Sequence, residues 1–150
     1  TKNEIKKLAL YSNGEKINHT LILEAIGDNS LVSLNELTDS IGIEKKVKIN
    51  YLYEKTLSLG LNYIVFLRSI SRHLRILIES KSNNLKNAKN IRPLIHFSRH
   101  SKINQQIKNI SIKQLKVYLG QVYELEVACK SNYNIHQLLI KKFIMGLSSY

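Results

Sequence analysis

The stretch NYIVFLRSISRHLRILIESKSNNLKNAKNIRPLIHFSRHSKINQQIK, residues 62–108, decides how the rest of the chain is read. Over Asn62–Lys81 the apolar residues Tyr63, Phe66, Leu67, Ile70, Leu74, Leu77 and Ile78 recur at intervals of three and four, which predicts a helix with one apolar side. That side must be buried. Arg68, Arg72 and Arg75 follow at steps of four and three on another side, where guanidinium groups meet carboxylates, backbone carbonyls or phosphates; the plainer reading is a solvated basic face. Ser82, Asn83 and Asn84 break the helix, and Leu85–Asn90 is expected to form one turn or stay irregular. The single proline, Pro93, disfavours helix at Arg92, so a new element should start at or just after it.

Towards the carboxy terminus, Phe97–Ile110 predicts a helix with Ile103, Ile107 and Ile110 inside and Arg99, Lys102 and Lys108 outside. Ser111 with Gln114 forms a capping box for Ile112–Lys130, whose inner face is Leu115, Leu119, Val122, Leu125 and Cys129. A turn at Asn132–Asn134 leads to a final helix through Leu147, capped by Asn134. Towards the amino terminus, Asn62 caps the central helix, and Glu44–Leu59 predicts another, with Val47, Tyr51, Leu52 and Leu59 as its stripe and Gly60 as its stop. Ser33 and Glu36 have capping-box spacing for a helix over Leu34–Ile41 that ends at Gly42. Two shorter helices are expected at Glu4–Tyr11 and Asn18–Ile26. No alternating stretch is bounded by hairpin turn residues, so the fold is expected to be all-α, with short loops joining an antiparallel bundle.

Composition bounds the function. At 150 residues the chain holds one compact domain, or one with a piece of another, and the start at Thr1 without methionine suggests a part of something longer. The one cysteine, Cys129, cannot form an internal disulfide and reads as an inert core thiol, so a cytoplasmic, soluble protein is expected. No apolar run has the length of a membrane span. The formal charge of +12 suits an anionic surrounding, although abundant Lys and Asn with scarce Ala also follow from an AT-rich coding sequence.

Catalytic constellations are not evident. His96 and His100 share a helix-face spacing used in some zinc sites, but a third ligand and a supporting carboxylate are missing, so no metal is expected. His73 and His136 have no identifiable partner, Cys129 has no base, and Glu124 and Glu126 fall on different sides of a helix. Glu126 with Lys130 makes an ordinary helix ion pair. No Gly-rich phosphate loop is present, so no ATPase and no bound cofactor are expected.

The order EIKKLALY, SLVSLNELTDSI, YLYEKTLSLGLNYIVFLRSISRHLRIL, RPLIHFSRHSKINQQIK and LGQVYELEVACKSNY resembles the carboxy-terminal part of the delta subunit of the bacterial DNA polymerase III clamp loader. The most family-like pieces are Arg68 with Arg72, Arg92 with Pro93, Phe97 and Arg99, Gln106, and Glu126 with Lys130; His96 departs from the aromatic or aliphatic residue common before Phe97. The resemblance implies that residues 1–27 end an AAA+-type lid and residues 28–150 form the helical collar through which five subunits assemble. It implies no ATP hydrolysis in this subunit; the polymerase activity belongs to the parent holoenzyme. The expected partners are the gamma/tau and delta-prime type subunits, primer-template DNA in the assembled loader, and the sliding clamp through an amino-terminal domain outside this chain.

Under that resemblance Arg68, Arg72, Arg75, Arg92, Phe97 and Arg99 are the subunit-interface candidates. Tyr133 aligns with an aromatic that meets the template, and Lys130 and Lys141 are its nucleic-acid-binding companions; a tyrosine ring stacks on any base and lysines neutralise phosphates. The alternative is a stand-alone basic helical module that binds nucleic acid by itself. Steep salt dependence would mark that alternative, because assembly by apolar burial is far less sensitive to salt.

Overall fold

A computed structural model of the chain describes residues 29–60, 62–131 and 136–148. The expected lead-in helices at Glu4–Tyr11 and Asn18–Ile26, and the turn that holds Tyr133, lie outside the described residues. The described residues form six α-helices and no strand: α1 (Asn29–Thr38), α2 (Lys46–Ser58), α3 (Tyr63–Ser82), α4 (His100–Asn109), α5 (Ile112–Ser131) and α6 (His136–Gly146). One 3₁₀ turn, Ala88–Asn90, interrupts the connection after α3, and another, Phe97–Arg99, leads into α4.

Helix α3 is the centre of the described residues, packed against α1, α4 and α5. Phe66, Leu67, Ile70, Leu74 and Leu77 are fully buried. Asn62 caps the helix as expected, its Oδ1 accepting from the Ile64 amide at 2.8 Å. Twenty residues span about 30 Å, the same length as α5, and these two helices share the most extensive contact in the fold. Arg68 reaches Glu126 while Arg75 reaches Tyr123, so partner numbers fall along α5 as they rise along α3. The helices therefore run antiparallel. Helices α1 and α2 do likewise, since Ser33 meets Thr56 and Glu36 meets Lys55.

Two local expectations fail for identifiable reasons. Ser33 does not cap α1, which already begins at Asn29. Its hydroxyl is buried against α2, 3.0 Å from Thr56 Oγ1; Thr56 gives its own proton to the Leu52 carbonyl, so Ser33 is the donor. In α2 most of the expected stripe is turned away from the core: Val47 is 84% exposed, Tyr51 and Leu59 are also exposed, and of its members only Leu52 is buried. The buried face is Ile49, Leu52, Tyr53 and Thr56. Short helices with apolar residues all round give two stripes of similar strength, and tertiary packing selects one.

The capping signal before α5 is realised. Ser111 and Gln114 form their capping box: Ser111 Oγ accepts from the Gln114 amide at 3.1 Å, and Gln114 Oε1 accepts from the Ser111 amide at 3.2 Å. Leu115, Val122 and Cys129 are buried on the inner face of α5, and burial pushes the Cys129 thiol pKa up, which keeps it protonated. Gly42 follows α1 at φ +67°, where a Cβ would approach Ile110 Cδ1 to 2.6 Å, and its amide donates to the Leu147 carbonyl at 2.8 Å. This one residue brings together the α1 exit, the end of α4 and the end of α6.

Candidate functional site

The segment 91–99 crosses the surface between α3 and α4 and carries the first group of candidates. Pro93 disfavours helix here, and the chain stays without helix until the 3₁₀ turn at Phe97–Arg99. The segment is not loose, because Arg99 anchors its end. The Arg99 Nε and Nη2 each donate to a carboxylate oxygen of Asp39 at 2.8 Å, a two-pronged ion pair with Asp39 almost wholly buried.

Behind that pair lies a buried polar knot. Gln106 Nε2 donates to the Thr38 carbonyl at 2.8 Å and the Ile41 carbonyl at 3.0 Å. Carbonyls only accept, so the amide orientation is fixed and Gln106 Oε1 faces His73 Nε2 at 2.9 Å as an acceptor. His73 is therefore the Nε2–H tautomer, with Nδ1 4.0 Å from Asp39. Burial is the largest influence on His73 and lowers its pKa below the ordinary 6.5; Arg99 adds to this, while Asp39 and the Gln106 hydrogen bond oppose it. Every member of the knot is used in holding α1, α3 and α4 together. It is structural chemistry.

With its base fixed, segment 91–99 turns two large apolar side chains outward. Leu94 is 74% exposed and Phe97 is 76% exposed. The Phe97 ring touches only the neighbouring His96 ring among the ring contacts, with centroids 4.4 Å apart. Leu31 and Val32 of α1 add exposed apolar surface, and Leu31 and Leu94 share a cleft of about 300 Å³ with Pro93 and Arg72. Arg92 is exposed and donates to its own Lys89 and Ile91 carbonyls at 3.3 Å. Of the interface candidates, Phe97 and Arg92 thus lie on the outer face of this segment, while the Arg99 guanidinium is engaged within the fold.

The second group lies along the α3/α5 seam. Arg68 donates to Glu126 at 3.3 Å, and Glu126 also meets Lys130 at 3.1 Å. Hydrogen bonding from Lys130 foremost, and from Arg68, holds the Glu126 carboxyl below the usual carboxylate range. Arg75 donates through Nε to the Tyr123 hydroxyl at 2.9 Å and lies over the same ring. Arg72 projects between them, bonded to no described residue.

The nucleic-acid candidates are separated. Lys130 pairs with Glu126, Lys141 of α6 pairs with Glu54 of α2 at 2.6 Å, and Tyr133 lies outside the described residues. His96 and His100 do not converge: His96 Nδ1 meets the Ser98 hydroxyl at 2.8 Å, and His100 Nε2 meets the Ile95 carbonyl at 2.8 Å. No cluster of three or more potential metal ligands occurs among the described residues. No helix among them is long and apolar enough to cross a membrane.

Comparison with protein-family models, curated proteins and solved structures returned no match. The site is therefore read from its own geometry. Two of its main residues escaped the sequence reading, Asp39 and Tyr123. Both sit in polar or mixed runs, TDSI and QVYEL, with no spacing that distinguishes a buried partner from a solvated side chain. Gln106 stood out in the sequence only through the resemblance, and its role as a three-way bridge emerges from the packing.

Proposed function

We propose that this chain is a non-catalytic helical association domain of the clamp-loader type, the collar of a delta-like subunit that helps hold the DNA polymerase III loader together while the sliding clamp is loaded on primed DNA. Residues 1–27 would then end a lid and residues 28–150 form the collar, acting in the cytoplasm beside gamma/tau and delta-prime type subunits. The clamp would be gripped by a domain outside this chain. Tyr133, Lys130 and Lys141 remain the proposed contacts to primer-template DNA, with the two lysines exchanging their carboxylate partners for phosphates.

The observation that supports this reading most is the outward display of Leu94 and Phe97 on a segment tied down through Arg99 and Asp39. Apolar anchors on a rigid base lose little conformational entropy on association, and exposed aromatic residues are enriched in protein interfaces. The ordered resemblance along the sequence adds the identity of the partners.

The test is retention of the chain on purified gamma/tau and delta-prime type subunits at low and high salt. Wild-type protein is expected to be retained at both. The double variant Leu94→Ser/Phe97→Ser should lose retention while keeping its urea midpoint, because both side chains are exposed. Absence of retention, together with tight salt-sensitive DNA binding by the chain alone, would make it a stand-alone nucleic-acid module instead.

A further inference from the structure

The α3/α5 seam holds a groove of about 350 Å³ lined by Arg68, Ser71, Arg72, Arg75, Tyr123 and Glu126, together with Ile76 and Glu79. Its polar groups are unevenly engaged. Glu126 is shared by Lys130 and Arg68, and Arg75 is held by a neutral hydroxyl. Arg72 has no hydrogen-bond or ion-pair partner among the described residues. Neither does the Ser71 hydroxyl, although Ser71 is only 5% exposed and lines the same groove. A buried hydroxyl without a partner is costly, and a guanidinium beside it offers several unused donors.

We propose that this groove is an oxyanion site that takes a backbone phosphate of a nucleic-acid strand, with Arg72 and Arg75 as its cationic donors and Ser71 as the hydroxyl that completes the phosphate's hydrogen bonds. Three features select that ligand. The lining carries more positive than negative charge, and the carboxylate nearest the arginines is already neutralised by Lys130. Arg72 and Arg75, three residues apart, rise about 4.5 Å along one face of α3, close enough for both to donate to one phosphate. The whole chain, at +12, attracts a polyanion from a distance. The site reads no base, since phosphate contacts carry no sequence information. Glu79, one turn beyond Arg75, is the second carboxylate of the lining. This inference does not depend on the collar reading, because subunit retention and strand binding are measured separately.

The experiment is fluorescence anisotropy of the whole chain with a labelled single-stranded DNA oligonucleotide over a range of NaCl. Arg72→Gln is expected to weaken binding about fivefold and to lower the salt slope by about 1, and Ser71→Ala to weaken it about twofold with the slope unchanged. Lys46→Gln removes one exposed charge on α2 and is the control for diffuse attraction; it should have the smaller effect. Equal losses for Arg72→Gln and Lys46→Gln, a silent Ser71→Ala, or no binding by the wild type would each overturn the site. Inorganic phosphate and a poly-glutamate peptide serve as competitors. Displacement by either at concentrations comparable with the oligonucleotide would overturn the strand assignment, in favour of a free phosphate or an acidic partner. Unchanged urea midpoints for the variants keep the comparison free of unfolding.

Discussion

Arg99 and Arg72 line one cleft with His73, yet the fold treats them oppositely. At the junction of α1, α3 and α4, Arg99 is mostly buried and its fork is satisfied by Asp39, with Gln106 and His73 completing a network that uses its donors and acceptors internally. Along the α3/α5 seam the arginines face solvent, Glu126 is shared, and Arg72 and the Ser71 hydroxyl are left unused. The difference is one of desolvation. A buried guanidinium must be paired for the fold to survive, whereas an exposed one is solvated by water and stays available to a ligand.

The sharpest way to break that contrast is to remove the buried cation. Arg99→Ala strands the Asp39 carboxylate and should cost about 3 kcal/mol of stability in urea unfolding. Adding Asp39→Asn should recover part of it, because the stranded charge is gone; no recovery would mean that lost packing, not charge, dominates. Gln106→Leu leaves the Ile41 carbonyl and the His73 Nε2–H without partners and the Thr38 carbonyl with only the Ile41 amide at 3.4 Å, and should cost about 2 kcal/mol by the same measurement.

Acid should act on the knot as well. Burial holds the folded-state pKa of His73 below its ordinary 6.5, so below that value the unfolded chain takes up the proton first. Stability from this group is full above the unfolded pKa and is lost as pH falls towards the folded one. Urea midpoints between about pH 7 and 5 should therefore decline more steeply in wild type than in His73→Gln, and parallel curves would remove His73 from the account. At the seam the expected effect is smallest. Arg68 is largely exposed, so Arg68→Ala should change stability by less than about 1 kcal/mol, and a larger loss would show that the seam is structural after all.

Much of the architecture was legible because helical periodicity is a local signal. The stripe of α3, the Asn62 cap, the Ser111 and Gln114 box, and the stop at Gly60 depend on residues a few positions apart. The stripe of α2 was misread for the complementary reason: Val47 and Ile49 are equally apolar, and only the neighbours α1 and α6 decide which is covered. Among the site residues, the basic run of α3 could be seen in sequence, but the asymmetry within it could not.

What the sequence determined by itself was the all-helical class of the described residues, most element boundaries, the central place of α3 and the basic character of the surface. These follow from spacing, capping chemistry and formal charge, which need no partner. Tertiary structure alone decided that Asp39 meets Arg99 across 60 positions, that Gln106 bridges two carbonyls and a histidine, and that Arg72 and Ser71 are left open in a groove. Desolvation and partner geometry belong to the assembled packing, and no local pattern encodes which polar group will be satisfied from a distant helix.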